Sequence, residues 1–321
     1  MSTLVVVTGA TGGQGGSVIR ALQSKPGLRL RGLSRNPDGA AAKELASQGV
    51  EMVQADLDDV STLQRAFEGA QVIFAVTDFY ETMRAADSWT AMNVEYQRGI
   101  NIAEAASRTG SLEHFIWSTL PSAHKISKKQ YFVPHFEAKA KVDDFIKSKS
   151  QLLAKTTFYW VSFFGENLQK PTFAPLYLSG LKKYVIVLPT APSCPVGFIG
   201  DHRTNIGIYI AAIIEQRSRT LGKYVFGNVE TVPLKDYYDI WASVVGRTVE
   251  YLQVSNASYC ELLPNYGQEM SVMLNFWNKY GADAWSGEDT LTDADLGITK
   301  QLIGLRESIQ NLDWTSTLAQ E

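Results

Sequence analysis

The chain has few cysteines and no excess of charge of one sign. Its two cysteines, Cys194 and Cys260, lie far apart and lack the spacing of a metal site. We therefore expect reduced thiols in an intracellular protein, with no bound metal. The formal net charge is −3 over 321 residues. Because nucleic-acid-binding domains usually carry a strong basic excess, this balance argues against direct nucleic-acid binding.

Long hydrophobic runs and targeting signals are also missing. No apolar stretch approaches the roughly 20 residues that cross a bilayer. The first residues lack the charged, apolar and small-residue segments of a signal peptide. We expect no membrane contact and a cytoplasmic location, with the nucleus as the alternative. A basic run over 125–149 is interpreted as a solvated helix face and loop rather than a nucleic-acid patch.

The first half of the chain alternates strand and helix patterns. Residues 4–7 form a continuous apolar run, as expected for a central parallel strand that is covered on both faces. Further strands are predicted at 28–33, 50–54, 72–76, 115–118 and 157–163. Helices are predicted at 15–25, 37–48, 93–108 and 135–149. Repeated βα units predict an α/β fold, a Rossmann-type doubly wound parallel sheet with right-handed crossovers.

The second half has more proline-broken loops and aromatic residues. After about Phe164 the regular alternation fades. We predict a Rossmann domain at 1–163 and a smaller α/β C-terminal lobe at 164–321, with chain crossings between the two. Open α/β folds bind ligands at the carboxyl edge of the sheet, so this lobe is expected to cover that edge and to bind substrate or a partner. Ordinary core packing accounts for most of its aromatic residues.

A glycine-rich loop follows the first strand and opens the first helix, which is the context of a dinucleotide-binding loop. We expect Gly9 to allow the tight turn, Gly12 to let the backbone approach the pyrophosphate, and Gly15 to let the helix pack close to the strand. The helix N-terminus then offers N–H groups and partial positive charge to the phosphates. The predicted loop contacts are Gly9, Ala10, Thr11, Gly12, Gly13, Gln14 and Gly15.

The residues after the second strand indicate which cofactor binds. NAD-binding domains usually place an acid there for the ribose hydroxyls, whereas an arginine accommodates the 2′-phosphate of NADP. This chain has Ser34 and Arg35 at that point and no acid. The pattern favours NADP(H), held by the 1–163 domain, and an exposed loop arginine is the alternative interpretation.

A carboxylate follows the third strand. Asp56, with Leu57 after it, is placed where the carboxylate can accept a hydrogen bond from the adenine amino group. Capping of the next helix is the alternative role at this turn, and it suits Asp58 or Ser61 better than Asp56. We therefore include Asp56 and Leu57 among the predicted cofactor contacts.

These motifs together resemble the NmrA-like family, atypical relatives of the short-chain dehydrogenases that include fungal regulators and a mammalian redox sensor. The resemblance covers nearly the whole chain and rests on VVVTGATGGQGGSV at 5–18, SRNP at 34–37, VTDFYE at 76–81, HFEAK at 135–139 and FFGENL at 163–168. It implies NADP(H) contacts from the glycine-rich loop and Arg35. The further contacts that it implies are Thr77, Asp78, Phe79, Lys139, Phe164, Gly165, Glu166 and Asn167.

The catalytic residues depart from the usual pattern. In typical short-chain dehydrogenases, the lysine of a Tyr-x-x-x-Lys pair orients the nicotinamide ribose and lowers the tyrosine pKa, and the tyrosine protonates the substrate. Here Lys139 has that spacing, His135 stands at the tyrosine position and Leu120 at the usual serine. His135 and Lys139 share a helix face, and we expect them to be catalytic, with Glu166 as a second proton-handling group. One alternative is that His135 is only a polar residue that lines the site. Another is that Tyr131 substitutes for the missing catalytic tyrosine.

Two functions are consistent with this pattern. The first is an NADP(H)-dependent oxidoreductase of specialised metabolism that acts on a bulky apolar small molecule, as a reductase or as a cofactor-assisted isomerase or cyclase. The second is a non-catalytic NADP(H) redox sensor that regulates a transcription factor or another protein partner. The incomplete catalytic set favours the sensor, whereas the large second lobe favours the enzyme, which is the function that we expect.

Overall fold

The structure is a computed structural model that describes residues 2–319. Its strands are β1 (Thr3–Val7), β2 (Leu28–Ser34), β3 (Glu51–Gln54), β4 (Val72–Ala75), β5 (His114–Thr119), β6 (Thr156–Val161), β7 (Phe163–Phe164), β8 (Leu176–Leu178), β9 (Lys183–Leu188), β10 (Pro195–Gly200), β11 (Tyr224–Gly227), β12 (Glu230–Pro233), β13 (Val249–Gln253) and β14 (Thr290–Leu291). Its helices are α1 (Gly13–Gln23), α2 (Ala40–Ser47), α3 (Val60–Ala66), α4 (Phe79–Met83), α5 (Ser88–Ser107), α6 (Ala123–Ile126), α7 (Pro134–Ser148), α8 (Ser150–Leu153), α9 (His202–Glu215), α10 (Arg217–Thr220), α11 (Leu234–Val245), α12 (Asn256–Leu262), α13 (Gly267–Tyr280), α14 (Asp293–Leu296), α15 (Leu305–Gln310) and α16 (Thr315–Leu318). Short 3₁₀ helices lie at Gly165–Gln169, Gly281–Trp285 and Thr299–Gln301.

Eight strands form one parallel sheet in the order β14-β11-β6-β5-β4-β1-β2-β3. From β1 the chain passes first to β2 and β3 on one side, and then to β4, β5 and β6 on the other. The strand order therefore reverses between β1 and β4. Such a topological switch point is where open α/β sheets bind ligands, beside the carboxyl ends of the strands. The predicted Rossmann-type doubly wound sheet is confirmed.

Both faces of the large sheet are covered, which explains the continuous apolar run in β1. Val5 and Val7 pack in the core with α1 and α9, whereas Leu4 and Val6 pack in the core with α3, α5 and α7. Each of these four side chains is at most 2% exposed. Because successive side chains of a strand point to opposite faces, β1 serves two cores and lies at the centre of three layers.

Helices α1 and α9 pack closely at a glycine. A Cβ at Gly207 would lie 2.3 Å from the carbonyl oxygen of Ser17. The Ser17 hydroxyl oxygen accepts a hydrogen bond from the Gly207 N–H at 2.8 Å. Since α1 begins at the glycine-rich loop, this contact joins the loop to the second half of the chain.

The second half of the chain extends the large sheet and forms two smaller ones. Strand β11 pairs with β6, and β14 pairs with β11. The smaller sheets have the orders β12-β10-β7 and β13-β9-β8. A further core lies among them, with large buried aromatic residues such as Tyr184, Phe198, Tyr237, Trp241 and Trp277. The chain therefore crosses between its halves, and the division into domains at 1–163 and 164–321 stays a prediction.

Two element bounds near the loop differ from the sequence prediction. Helix α1 begins at Gly13 rather than at residue 15, because Gly12 is its N-cap. The strand predicted at 157–163 ends at Val161, and Phe163–Phe164 is a separate strand in a smaller sheet. The chain thus leaves the large sheet just before the segment that carries the last predicted cofactor contacts.

Helix caps account for two further differences. Helix α5 begins at Ser88 rather than at residue 93, because Asp87 caps it. The N-cap of α3 is Asp59, whose carboxylate accepts a hydrogen bond from the Ser61 N–H. The alternative roles of Asp58 and Ser61 as N-caps are therefore wrong, and Asp58 has a different partner, described below.

Candidate functional site

The glycine-rich loop between β1 and α1 favours glycine at two positions, at one for its backbone conformation and at the other for lack of space. Gly9 has a φ of +58°, a left-handed conformation that favours glycine. A Cβ at Gly15 would lie 2.2 Å from the carbonyl oxygen of Gly9. Gly12 caps α1 without a side-chain hydrogen bond. The first N–H groups of α1 therefore lack an intrahelical acceptor and point away from the helix, as in an anion site.

The loop is joined to the neighbouring strands at the switch point. Thr8 Oγ1 accepts a hydrogen bond from the Val76 N–H at 2.8 Å and donates to the Val76 carbonyl at 3.0 Å. Ser118, in β5, donates to Gln14 Oε1 at 2.8 Å. Among the predicted loop contacts, Ala10 and Gly15 are buried, Gln14 is half-buried, and the exposed ones are Gly9, Thr11, Gly12 and Gly13. The loop therefore presents accessible backbone beside the carboxyl ends of β1 and β4.

An ionic network lies beside the carboxyl end of β2. Arg35 Nη1 is 2.5 Å from Glu81 Oε1, and Glu81 Oε2 is 2.9 Å from Arg98 Nη1. Arg98 also donates to both carboxylate oxygens of Asp58, at 2.9 and 2.8 Å, and this lowers the pKa of the Asp58 carboxyl. The expectation that no acid lies near Arg35 is wrong, because α4 brings Glu81 there from a distant part of the sequence.

The other residues predicted at this end make local contacts. Ser34 Oγ accepts a hydrogen bond from the N–H two residues further on, at 3.1 Å. Asp56 Oδ1 accepts from the Asp58 N–H at 2.9 Å, and the Leu57 carbonyl accepts from the Asn101 amide at 2.8 Å. Asp56 and Leu57 are half-buried after β3. Their contact with adenine stays a prediction.

The segment after β4 carries three of the predicted contacts at the switch point. Thr77 is buried. Asp78 is exposed and caps α4, because its carboxylate accepts from the N–H groups of residues 80 and 81 at 2.9 and 3.3 Å. The ring of Phe79 is buried, with its centroid 5.6 Å from that of His135. Phe79 therefore joins this segment to the predicted catalytic helix.

The ammonium group of Lys139 is fully bonded within the protein. Its Nζ lies 3.1 Å from the Thr77 carbonyl, 2.9 Å from Thr77 Oγ1 and 2.9 Å from Glu95 Oε1. Thr77 Oγ1 in turn donates to Glu95 Oε1 at 2.8 Å. All three residues are buried. Since an ammonium group has three donors, a ribose hydroxyl has to replace one of these acceptors in order to bind Lys139.

His135 lies one turn before Lys139 on α7 and is hydrogen-bonded to a buried carboxylate. Its Nδ1 contacts Oε1 of Glu269, which comes from α13. Because an ionised carboxylate only accepts, Nδ1 carries the hydrogen, and Nε2 is the ring nitrogen that can exchange a proton. The ring also lies against Tyr80, with 5.6 Å between centroids. His135 thus has the partner of an acid–base histidine.

The two buried carboxylates of this cluster are each bonded through only one of their oxygens. Glu95 and Glu269 bind Lys139 and His135 through Oε1, and each leaves Oε2 buried without a hydrogen bond from residues 2–319. Since an unpaired buried carboxylate oxygen is costly, we expect a water molecule or a ligand donor at each.

Burial raises the pKa of the Tyr80 hydroxyl, and the charges of Glu269 and Glu95 raise it further. Tyr80 therefore stays a protonated donor.

Glu166 lies with the glycine-rich loop. Its Oε2 is 3.2 Å from His202 Nδ1 and 3.4 Å from Arg203 Nε. The His202 ring stacks on Phe164 with 4.5 Å between centroids, and a Cβ at Gly13 would lie 2.6 Å from His202 Nε2. Burial raises the pKa of the Glu166 carboxyl and lowers the pKa of the His202 imidazole to about 4. The proton-handling role of Glu166 stays a prediction.

The contacts of the next residues are structural. Gly165 is buried, its carbonyl accepts from the Tyr237 hydroxyl at 3.0 Å, and a Cβ there would lie 2.4 Å from Ser308 Oγ. Asn167 is half-buried within the 3₁₀ helix, and its carbonyl accepts from the Lys170 N–H at 2.9 Å. Glycine at 165 is therefore explained by the space that the fold leaves there, and contact of either residue with the cofactor stays a prediction.

The two remaining positions named from the sequence pack in the second-half core. The ring of Tyr131 lies 6.0 Å from that of Phe276 and 6.1 Å from that of Tyr280, between centroids. Leu120 is half-buried against the same core. These contacts support the packing role of Tyr131 rather than a substitute role in catalysis.

A groove of about 420 Å³ has Glu269 in its lining. It is lined by residues 83–88, which connect α4 to α5, and by Pro264, Asn265, Gln268 and Glu269. A larger cavity of about 540 Å³ lies at Gly69 and Gly110, near the amino ends of β4 and β5 and so at the opposite edge of the sheet. The groove therefore adjoins Glu269, the residue whose carboxylate contacts His135.

Two features of other classes of protein are absent from residues 2–319. No group of three or more histidine, cysteine, aspartate and glutamate side chains is arranged to hold a metal ion in this part of the chain. Within the same residues, no helix is both long enough and apolar enough to span a membrane. Cys194 and Cys260 are both free.

Sequence comparison relates the chain to known proteins. The sequence profile of the NmrA-like family matches residues 1–311. The chain is 25% identical over 317 residues to an NmrA-like family domain-containing protein of Dictyostelium discoideum, which covers 98% of this chain and 99% of that protein. It is also 25% identical over 261 residues to the NmrA-like family domain-containing oxidoreductase cpsB of Aspergillus campestris, which covers 78% of this chain and 75% of that protein.

The fold also matches a solved structure. The crystal structure of NmrA, a negative transcriptional regulator, in complex with NADP superposes with a TM-score of 0.78. The two chains are 20% identical, and the match covers 99% of this chain and 97% of that one. The whole described chain, including the strands and helices after residue 164, therefore has the architecture of that protein.

Proposed function

Since the chain belongs to the NmrA-like family, we propose that it binds NADP(H) and acts as an oxidoreductase of specialised metabolism on a bulky apolar small molecule. The reaction is a reduction or a cofactor-assisted isomerisation or cyclisation. The name of the relative cpsB supports oxidoreductase activity, and the NADP in the NmrA structure supports the cofactor.

The geometry of the glycine-rich loop is the observation that carries the cofactor proposal. The left-handed Gly9 and the close contact of Gly15 with Gly9 fix a tight turn. Gly12 is then the N-cap of a helix whose first N–H groups have no side-chain cap. Exposed N–H groups at a helix N-terminus, at the switch point of a parallel sheet, fit a pyrophosphate. The residues present therefore fit a dinucleotide.

Arg35 supports NADP(H) as that dinucleotide. Arg35 follows β2, its side chain is 63% exposed, and its guanidinium has donors beyond the nitrogen that contacts Glu81. A guanidinium is positively charged, and its planar set of N–H donors matches the geometry of phosphate oxygens. Asp56, after β3, supplies a carboxylate for adenine. The adenosine half of the cofactor would therefore bind across the carboxyl ends of β2 and β3.

His135 supports the catalytic part of the proposal. When bound, NADP(H) would supply or accept the hydride. His135 would then donate or accept the substrate proton at Nε2, while Glu269 acts as a positioning residue that holds Nδ1–H and stabilises the charged ring. The rings of Phe79 and Tyr80 lie against His135, which supports an apolar substrate, and the Tyr80 hydroxyl can donate to it.

Lys139 receives a different role from the one its spacing suggests. Its three acceptors are Thr77 and Glu95 atoms, so it neutralises a buried carboxylate and fixes the carbonyl of Thr77. By holding Thr77, it would shape the segment after β4 that adjoins the loop. Lys139 therefore acts first as a positioning residue in the described structure, and direct contact with the ribose requires one acceptor to be displaced.

The bonding of Lys139 also favours the second function, the NADP(H) redox sensor. With His135 at the tyrosine position, Leu120 at the serine position and Lys139 fully bonded, the usual carbonyl-reducing set is incomplete. A sensor needs only the cofactor site and a surface that responds to it. The regulator NmrA shares the fold. A protein partner gated by NADP(H), in the absence of turnover, would establish this alternative.

Turnover measurements separate the two functions. The purified chain is incubated with NADPH and a panel of carbonyl and imine metabolites, and loss of NADPH absorbance is followed alongside a screen for protein partners. If it is an oxidoreductase, His135→Ala lowers turnover by about 10²–10⁴-fold, the usual effect of removing an acid–base group, and changes NADP⁺ affinity by only a few-fold. The matched control Tyr131→Phe keeps full turnover. Full turnover in His135→Ala would remove His135 from the chemistry.

A further inference from the structure

The Arg35–Glu81 pair combines the two cofactor-selecting chemistries at one place. An arginine after β2 suits a 2′-phosphate, whereas an acid in that region suits a free 2′-hydroxyl. Here both are present and paired at 2.5 Å. We propose that Glu81 is a specificity-determining residue that opposes Arg35 and sets the ratio of NADP(H) to NAD(H) affinity. This inference rests on the proposed cofactor site.

Glu81 is the fixed partner of the pair. It lies in the first turn of α4, and its Oε2 accepts from Arg98 Nη1 at 2.9 Å. Arg98 is itself only 14% exposed and is held by both oxygens of Asp58. Arg35, in contrast, is 63% exposed, and its contact with Glu81 is an exposed ion pair of small strength. Arg35 can therefore turn to a ligand, whereas Glu81 stays in place.

The fixed position of Glu81 gives it opposite effects on the two cofactors. A 2′-phosphate bound by Arg35 brings negative charge close to the Glu81 carboxylate and must compete with it for the guanidinium. A free 2′-hydroxyl at the same place can instead donate to that carboxylate. The site also holds no net positive charge for a phosphate, because its two guanidinium groups are balanced by two carboxylates. The guanidinium groups belong to Arg35 and Arg98, and the carboxylates to Glu81 and Asp58. Glu81 therefore weakens NADP(H) binding and supports NAD(H) binding.

Replacement of Glu81 by glutamine tests this directly. Glu81→Gln keeps an oxygen that can accept from Arg98 but removes the charge. Calorimetric titration of the full chain with NADP⁺ and with NAD⁺, at one fixed low salt concentration, should show NADP⁺ binding about five- to tenfold tighter, as expected for one unit charge removed a few ångströms from a phosphate. NAD⁺ binding should become about two- to fivefold weaker, and the gain for NADP⁺ should shrink at high salt.

A matched control has the same charge change elsewhere. Glu104→Gln alters a half-buried residue of α5 that pairs with Arg108 at 3.6 Å, and it should leave both affinities within twofold. Circular dichroism and thermal unfolding establish that each variant is folded. Unchanged NADP⁺ and NAD⁺ affinities in folded Glu81→Gln would overturn the specificity role of Glu81, and so would equal changes in Glu104→Gln. Neither result would contradict the proposed cofactor site. A wild-type chain that binds neither cofactor would overturn the proposed function together with the role of Glu81.

Discussion

His135 on α7 is hydrogen-bonded through Nδ1 to Glu269 on α13, a residue 134 positions further along the chain. The carboxylate holds the imidazole in one tautomer, with the hydrogen on Nδ1. We expect Glu269→Ala to shift the neutral ring of His135 toward the Nε2–H tautomer, because that acceptor is lost. The ¹⁵N chemical shifts of the two ring nitrogens, assigned with a His135→Gln variant, measure the tautomer without any substrate.

The matched control for this measurement keeps an acceptor at the same place. Glu269→Gln can still accept from Nδ1–H through its amide oxygen, so the tautomer should stay as in the wild type. A role of Glu269 in packing alone would not change the tautomer in either variant. An unaltered Nδ1–H tautomer in folded Glu269→Ala would therefore show that Glu269 does not position His135.

Lys139 should matter more for stability than its spacing alone suggests. Lys139→Ala leaves the buried carboxylate of Glu95 without its cation, and removal of one partner from a buried pair usually costs about 3–5 kcal/mol. Urea denaturation should show a fall of this size in the free energy of unfolding. The double variant Lys139→Ala with Glu95→Gln should recover part of the loss. Normal stability with weakened NADP⁺ binding would instead indicate a lysine that is free to bind the ribose.

A buried aspartate should make stability depend on pH. Asp143 accepts hydrogen bonds from Trp117 at 2.9 Å, Thr119 at 2.7 Å and Tyr224 at 2.9 Å, and burial raises its pKa from 3.8 to about 7. The folded state then binds this proton more tightly than the unfolded state. The contribution of Asp143 to stability is therefore greatest below pH 4, falls as the pH rises to about 7, and is constant above that.

The variant Asp143→Asn isolates this contribution. It should remove a pH-dependent change of about 4 kcal/mol in the free energy of unfolding between pH 4 and 7. Other titrating groups contribute equally to both proteins, so the difference between the wild type and Asp143→Asn is the quantity to plot against pH. A difference that does not vary between pH 4 and 7 would mean that Asp143 keeps an ordinary pKa in the folded protein.

Arg35 should discriminate between the two nicotinamide cofactors. Arg35→Ala removes the charge-assisted contact with a 2′-phosphate, so calorimetry should show NADP⁺ binding weaker by about 1.5–3 kcal/mol. NAD⁺ lacks that phosphate, and its affinity should be nearly unchanged. Equal losses for both cofactors would contradict the assignment of Arg35 to the phosphate. Lys25→Ala, an exposed residue paired with Glu215, is a control that should alter neither affinity.

Local patterns predicted the parts of the site that lie within one βα unit. The loop from Gly9 to Gly15 could be predicted because its spacing, the preceding apolar strand and the following helix are contiguous in the sequence. The shared face of His135 and Lys139 likewise follows from their separation by one helical turn. The structure confirms both relationships, since each depends on backbone geometry that neighbouring residues determine.

The partners of these residues could not be predicted in the same way. Glu95, Glu269 and His202 are single residues on helices far away in the sequence, and nothing in their neighbourhoods distinguishes them from ordinary helical residues. Glu81 lies in the VTDFYE segment, but only the packing of α4 beside β2 brings it to Arg35. Tertiary contact thus decides which predicted groups are already bonded. It pairs Lys139 with the buried carboxylate of Glu95, and the contact of Lys139 with the ribose stays a prediction.

The proposed dinucleotide site is tested most directly by calorimetric titration of NADP⁺ into the wild type and Gly12→Val. Gly12 has an extended backbone, and a Cβ there would lie 3.3 Å from the Gly9 carbonyl oxygen, a tight contact that requires the loop to shift by a few tenths of an ångström. Valine would also fill the space beside the free N–H groups, so the variant is first shown to be folded by circular dichroism. Gly110→Val, at a glycine with open space around it, is the control. We expect binding by the wild type and by Gly110→Val, and none by folded Gly12→Val. Normal affinity in folded Gly12→Val, or no binding by the wild type, would contradict the account.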